Sequence, residues 1–172
     1  MDSKVDARLE EFIHAEGARM EAAQSLLGKA AIANARLAYQ EFLSVFQSAR
    51  FQVLRKFGAR TQRPLWASTS TKNPAYRDVM YVEELIAEDT INTMPAKTLD
   101  AFRDHGEARI TIEDHLEEAR QVFERLELLG IMEEDVTREL EEEGVESFSK
   151  AFRELLDTVE QRRRAALAEA RV

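Results

Sequence analysis

Apolar residues recur at helical spacing along most of this chain, and only two short stretches break that rhythm. Val5, Leu9, Phe12 and Ile13 predict a helix over Met1–Phe12, with Asp2 and Ser3 as its caps. From Lys29 to about Phe57, Ile32, Ala35, Ala38, Phe42, Val45, Phe46, Ala49 and Val53 give one wide apolar face, which predicts a single long helix. Gly58 ends it as the C′ residue, and Arg55 and Lys56 suit its C-terminal dipole. Leu65–Ala67 is too short and too tightly bounded for a helix, so Arg63–Ser68 reads as a buried strand, with Pro64 tolerable near its start. Val79–Ala87 reads as a short helix and Thr90–Met94 as a second strand. Pro95 then opens a helix over Ala96–His105 that Gly106 ends. Strand, loop, short helix and strand within about 30 residues make a βαβ unit, whose strands run parallel with a right-handed connection.

Beyond Gly106 the pattern is helical only. Thr111 and Asp114 form a capping box into a helix over Ile112–Leu129, with Leu116, Ala119, Val122, Phe123, Leu126 and Leu129 inward. An acidic helix over Glu133–Glu142 is expected to stop at Gly144. A last helix from Val145 is expected to turn Phe148, Ala151, Phe152, Leu155, Leu156 and Val159 inward and to fray over 161–172. Two parallel strands among so many helices do not close an α/β domain, because a parallel sheet is covered on both faces and has more than two strands. The pattern therefore describes part of a larger α/β protein, read here as one unit over residues 1–172.

Charge and composition remove several function classes. A formal charge of −9 argues against non-specific nucleic-acid binding, which needs a basic surface to displace counterions. No apolar run approaches the ~20 residues of a membrane span, and the address expected is cytoplasmic. Without cysteine there is no disulfide, thiol nucleophile or thiolate metal site. The glutamates at 133–134 and 139–143 read as a solvated face, so neither metal nor cofactor is expected. Arg162–Arg164 reads as a favourable helix-end charge, His14 and His115 as surface residues, and His105 as a C-terminal helix cation.

What remains is the loop after the first strand. Ser68, Thr69, Ser70 and Thr71 are followed by Lys72, so hydroxyl donors and one positive charge gather at the strand's C-terminal end. Ligands sit at that end in α/β folds, and phosphate suits such a loop. Its polar setting would not desolvate an amine, which argues against Lys72 as a Schiff-base nucleophile. Asn92 and Thr93, at the end of the second strand, either face the pocket mouth or cap the following helix.

Several segments together resemble transaldolase, in its longer actinobacterial form. They are Gly28–Ala35, Gln62–Thr69, Lys72–Pro74, Tyr81–Leu85, Asp89–Pro95, Asp104–Gly106 and Glu141–Val145, in order over nearly the whole chain. The resemblance implies the C-terminal portion of a (β/α)₈ barrel whose members move a dihydroxyacetone unit between sugar phosphates in the pentose phosphate pathway. That chemistry needs an amine nucleophile and acid–base groups for the Schiff-base steps. The resemblance puts the lysine and the carboxylates on earlier strands, leaving no catalytic residue in this chain. It assigns Ser68, Thr69 and Lys72 to substrate phosphate and Asn92 and Thr93 to the pocket mouth. Met1–Leu9 resembles the segment just after the sixth strand, so a chain starting there keeps the last two strands and is expected to be inactive alone. The partners expected are sugar phosphates and either a missing N-terminal barrel half or a second copy in a homodimer. The alternative is a non-catalytic helical scaffold derived from such a barrel.

Overall fold

A computed structural model of the chain describes residues 1–15 and 17–169. Residues 1–132 form one compact unit and the chain from Glu133 on forms a second.

In the first unit, α1 (Asp2–His14) packs against α2 (Met20–Gln24) and α3 (Ala30–Phe46). Neither Asp2 nor Ser3 caps α1; Asp2 lies inside its first turn and bonds elsewhere. The long helix expected over 29–57 is two helices, because Ser48 takes an extended backbone and its hydroxyl accepts from the Phe51 N–H at 3.2 Å. That cap starts α4 (Ala49–Lys56), which ends at Phe57 with Gly58 following at φ +92°. A serine inside an apolar stripe competes for backbone donors, which the stripe alone does not reveal.

Among the described residues the sheet has two strands, β1 (Leu65–Ala67) and β2 (Ile91–Thr93), paired in parallel with Trp66 opposite Asn92. Both are shorter than expected, and β1 is not buried: Leu65 is 51% exposed and only Trp66 turns toward packed side chains. Period-2 alternation with one paired edge leaves the other edge and face of β1 open. Behind Trp66 lies a core of Ile32, Ala35, Tyr39, Leu85 and Ile112. Helix α5 (Met80–Glu84) joins the strands, and α6 (Ala96–His105) follows Pro95 as expected.

Helix α7 (Leu116–Leu128) begins later than expected and packs on α3 through Ala119, Val122 and Leu126. Thr111 does not cap it. Its hydroxyl donates to the Glu83 carbonyl at 2.5 Å and accepts from the Ile86 N–H at 3.2 Å, which staples the loop to α5 instead.

The second unit is α8 (Glu133–Glu169). It runs through Gly144 without a break, since one glycine costs a helix only about 1 kcal/mol relative to alanine. The stripe expected to face inward is exposed, with Phe148 at 81% and Phe152 at 61%. The last three residues of the tail expected to fray lie outside the described residues. Among the described residues, no helix is long and apolar enough to cross a membrane.

Candidate functional site

A cavity of about 660 Å³ lies beside β1. The strand and its following loop line one side, from Leu65 to Ser70 and on through Lys72, Asn73 and Tyr76. The first turns of α1 line the other through Asp2, Asp6 and Glu10, and no residue of β2 contributes.

The loop has its own internal order. Ser68 takes a left-handed backbone at φ 56°, which bends the chain sharply out of β1. Thr69 is buried; its N–H reaches the Thr93 carbonyl at 3.3 Å and its hydroxyl donates to Asn92 Oδ1 at 2.6 Å. Asn73 makes an Asx turn, accepting from the Ala75 N–H at 2.9 Å, and its carbonyl accepts from the Tyr76 N–H at 3.2 Å.

Two aspartates of α1 hold the opposite wall. Asp2 Oδ1 accepts from the Ala31 N–H at 2.6 Å, and Oδ2 accepts from the Tyr81 hydroxyl at 2.6 Å. Asp6 repeats this one turn later, accepting from the Gly28 N–H at 3.0 Å and the Tyr76 hydroxyl at 2.7 Å. Each carboxylate thus bridges the start of α3 to a tyrosine from the β1–α5 segment. The N–H groups at 28 and 31 lie around the start of α3, where the helix leaves donors unsatisfied and favours negative charge. Burial raises the Asp2 pKa above the usual carboxylate range, against the lowering effect of its two donors. Burial and the neighbouring aspartates push both tyrosine hydroxyls well above their ordinary values, so they stay protonated and donate.

Of the residues singled out by sequence, Ser68, Thr69 and Lys72 lie together on the cavity. The Thr69 hydroxyl is already committed to Asn92, whereas Lys72 is exposed. Asn92 and Thr93 do not line the cavity; they hold Thr69 from behind, and no side chain caps α6. From the sequence Asp2 reads only as a helix cap, and Asp6, Tyr76 and Tyr81 carry no site role. A signal was present: Asp2 and Asp6 fall on the same helical face as Leu9, and acids on a core-facing stripe need donors. Among the described residues, no group of three or more histidines and carboxylates is placed to hold a metal ion.

Comparison with known proteins decides the family. The family model "Transaldolase/Fructose-6-phosphate aldolase" matches residues 8–159. The chain belongs to that family. It is 50% identical over 161 residues to a transaldolase of Mycolicibacterium smegmatis, covering 93% of this chain and 42% of the relative. A transaldolase of Frankia alni is 48% identical over 162 residues, covering 94% of this chain and 42% of the relative. A "Transaldolase 2" of Streptomyces avermitilis is 48% identical over 159 residues, with coverages of 92% and 42%. The chain therefore spans about two fifths of the length of these transaldolases, and it matches their C-terminal part.

Proposed function

We propose that this chain supplies the substrate-phosphate corner and the closing helices of a (β/α)₈ transaldolase. That enzyme transfers a dihydroxyacetone unit between sugar phosphates, through a Schiff-base lysine contributed by chain outside these residues. One observation carries the reading: Lys72, Ser68 and Ser70 follow the C-terminal end of a parallel strand and together border the cavity beside it. Catalytic groups gather at that end of (β/α)₈ barrels, and a compact ammonium with neighbouring hydroxyls holds a sugar phosphate by point charge and hydrogen bonds. The role of Lys72 is then ground-state and transition-state anchoring rather than bond making. The part of that cavity between the open edge of β1 and the start of α1 gives room for one more strand of such a barrel, which leaves the anion to the rim formed by Ser68, Ser70 and Lys72.

On this reading the chain has no transaldolase activity by itself and gains it with an N-terminal barrel portion of a relative. A coupled sugar-phosphate assay of the mixture tests the claim, and failure of two folded pieces to restore turnover would count against it. Borohydride reduction with donor sugar present adds a second check, since the covalent adduct should appear on the companion piece. An adduct on Lys72 would overturn the anchoring role.

The exposed Leu65 edge and the exposed apolar residues of α8 support a second reading, a non-catalytic scaffold that pairs with itself. A sharp dimer mass in light scattering favours it, and a monomer that assembles only with the N-terminal portion removes it.

A further inference from the structure

The loop that carries Lys72 is tied at both ends, and the two ties are unlike each other. At its start, Thr69 is pinned to β2 by the Thr93 carbonyl and the Asn92 side chain. At its end, Tyr76 reaches across the cavity to a different layer of the molecule, where Asp6 accepts its hydroxyl at 2.7 Å. The same carboxylate accepts the Gly28 N–H, so helix α1, the turn before α3 and the loop meet at one side chain. The Tyr76 ring lies so close to Gly28 that a Cβ there would come within 2.8 Å of its Cζ. Gly28 also holds φ +69°, a backbone few other residues adopt. The tyrosine is thus seated by shape as well as by its hydroxyl.

We infer that the Asp6–Tyr76 hydrogen bond is a latch that positions the 68–76 loop, so that Lys72 and the loop hydroxyls converge on one anion. Tyr76 and Asp6 are positioning residues here: they act through the backbone of the loop and need not touch the ligand. The physical argument is entropic. A short loop held only at Thr69 lets Lys72 sample many positions, and each bond it makes to an anion must then repay the ordering of the whole segment. A charged acceptor for the Tyr76 hydroxyl makes the second tie stronger than a neutral pair, and its protein donors and acceptor are already in place before a ligand arrives. Asp2 repeats the arrangement one turn earlier in α1, but its partner Tyr81 belongs to α5, so that bond ties α1 to α5 rather than to the loop.

This inference rests on the phosphate reading of the same cavity, and the test separates the two. Tyr76→Phe removes the hydroxyl and keeps the ring against Gly28. Hydrogen exchange of the Thr69, Ala75 and Tyr76 amides should speed up about tenfold or more, the loss expected for one bond to a charged acceptor. Amides of α3 and α7 should be unchanged. Titration with inorganic phosphate, followed at the Ser70 and Lys72 amides, should show several-fold weaker binding than wild type. Asp6→Asn leaves its one oxygen to the Gly28 N–H and turns its NH2 toward Tyr76, whose oxygen then accepts a neutral bond, so its effects should fall between wild type and Tyr76→Phe. It also serves if Tyr76→Phe does not fold. Equal phosphate binding by wild type and the two variants, or unchanged loop exchange, would overturn the latch and leave the phosphate reading standing. A wild-type chain that takes up no phosphate would overturn the phosphate reading and the positioning role with it.

Discussion

Leu126 and Phe148 occupy equivalent places in the pattern of the chain, each in the middle of an apolar stripe on a helix. Their surroundings are opposite: Leu126 is 3% exposed and Phe148 is 81% exposed. In residues 1–132 the stripe of α7 has α3 to pack on, whereas the stripe of α8 stands in solvent within its own unit. An apolar stripe therefore states what a helix requires, and it does not state that the requirement is met. The same holds for β1, whose alternation asks for neighbours on two edges and finds β2 on one.

Four substitutions probe that difference, in decreasing order of effect. Leu126→Ala should cost about 2–5 kcal/mol in urea unfolding, the range for a fully packed leucine that leaves a cavity. A loss under about 1 kcal/mol would mean that α7 is less tightly seated than its burial indicates. Gly28→Ala should cost about 1–3 kcal/mol for a non-glycine in left-handed backbone. It should also displace Tyr76, visible as a change in tyrosine near-ultraviolet circular dichroism. An unshifted spectrum would contradict the close seating of that ring.

The third concerns His105, whose ring bonds Asp78 at 2.9 Å and Asp104 at 3.2 Å and ties the end of α6 to the start of the α5 segment. These two bonds raise its pKa above the ordinary value. The folded state thus binds the proton more tightly than the unfolded one. The stabilisation is fully present below the unfolded pKa of about 6.5 and is lost as pH rises through the higher folded value. His105→Gln should flatten that part of the stability–pH curve. An unchanged slope between pH 6 and 8 would show that the pair, being exposed, is screened out. The smallest effect belongs to Phe148→Ala, expected to leave stability within about 0.5 kcal/mol, as for surface positions away from special features. A loss near that of Leu126→Ala would mean that α8 buries this face against another chain in solution.

Much of the helical framework was legible because it depends on local rules. The span of α6 follows from Pro95 and Gly106, and the ends of α4 and α7 from Gly58 and Gly130, both at positive φ. The places where reading failed are those where a polar side chain had a choice of partner. Ser48 chose to cap and divided one expected helix into two, whereas Thr111 declined to cap and stapled α5. Gly144 looked like a stop and was not one, because a single glycine costs a helix only about 1 kcal/mol and does not by itself turn the chain out of it.

The candidate site divides along the same line. The clustering of Ser68, Thr69 and Lys72 was legible because they lie within five residues of chain, and sequence neighbours after a short strand stay neighbours in space. Family membership was legible for the same reason, since motifs survive as ordered residues. The other wall was not: Asp2 lies 79 positions from Tyr81 and Asp6 lies 70 from Tyr76, and no local rule pairs them. Only the meeting of α1 with both the start of α3 and the chain from Tyr76 to Tyr81 brings each carboxylate to a backbone donor and a phenol at once. The residues by themselves determined a lysine and hydroxyls at the end of a parallel strand. The tertiary structure decided what holds them still, because two buried carboxylates need donors and the nearest ones belong to distant parts of the chain.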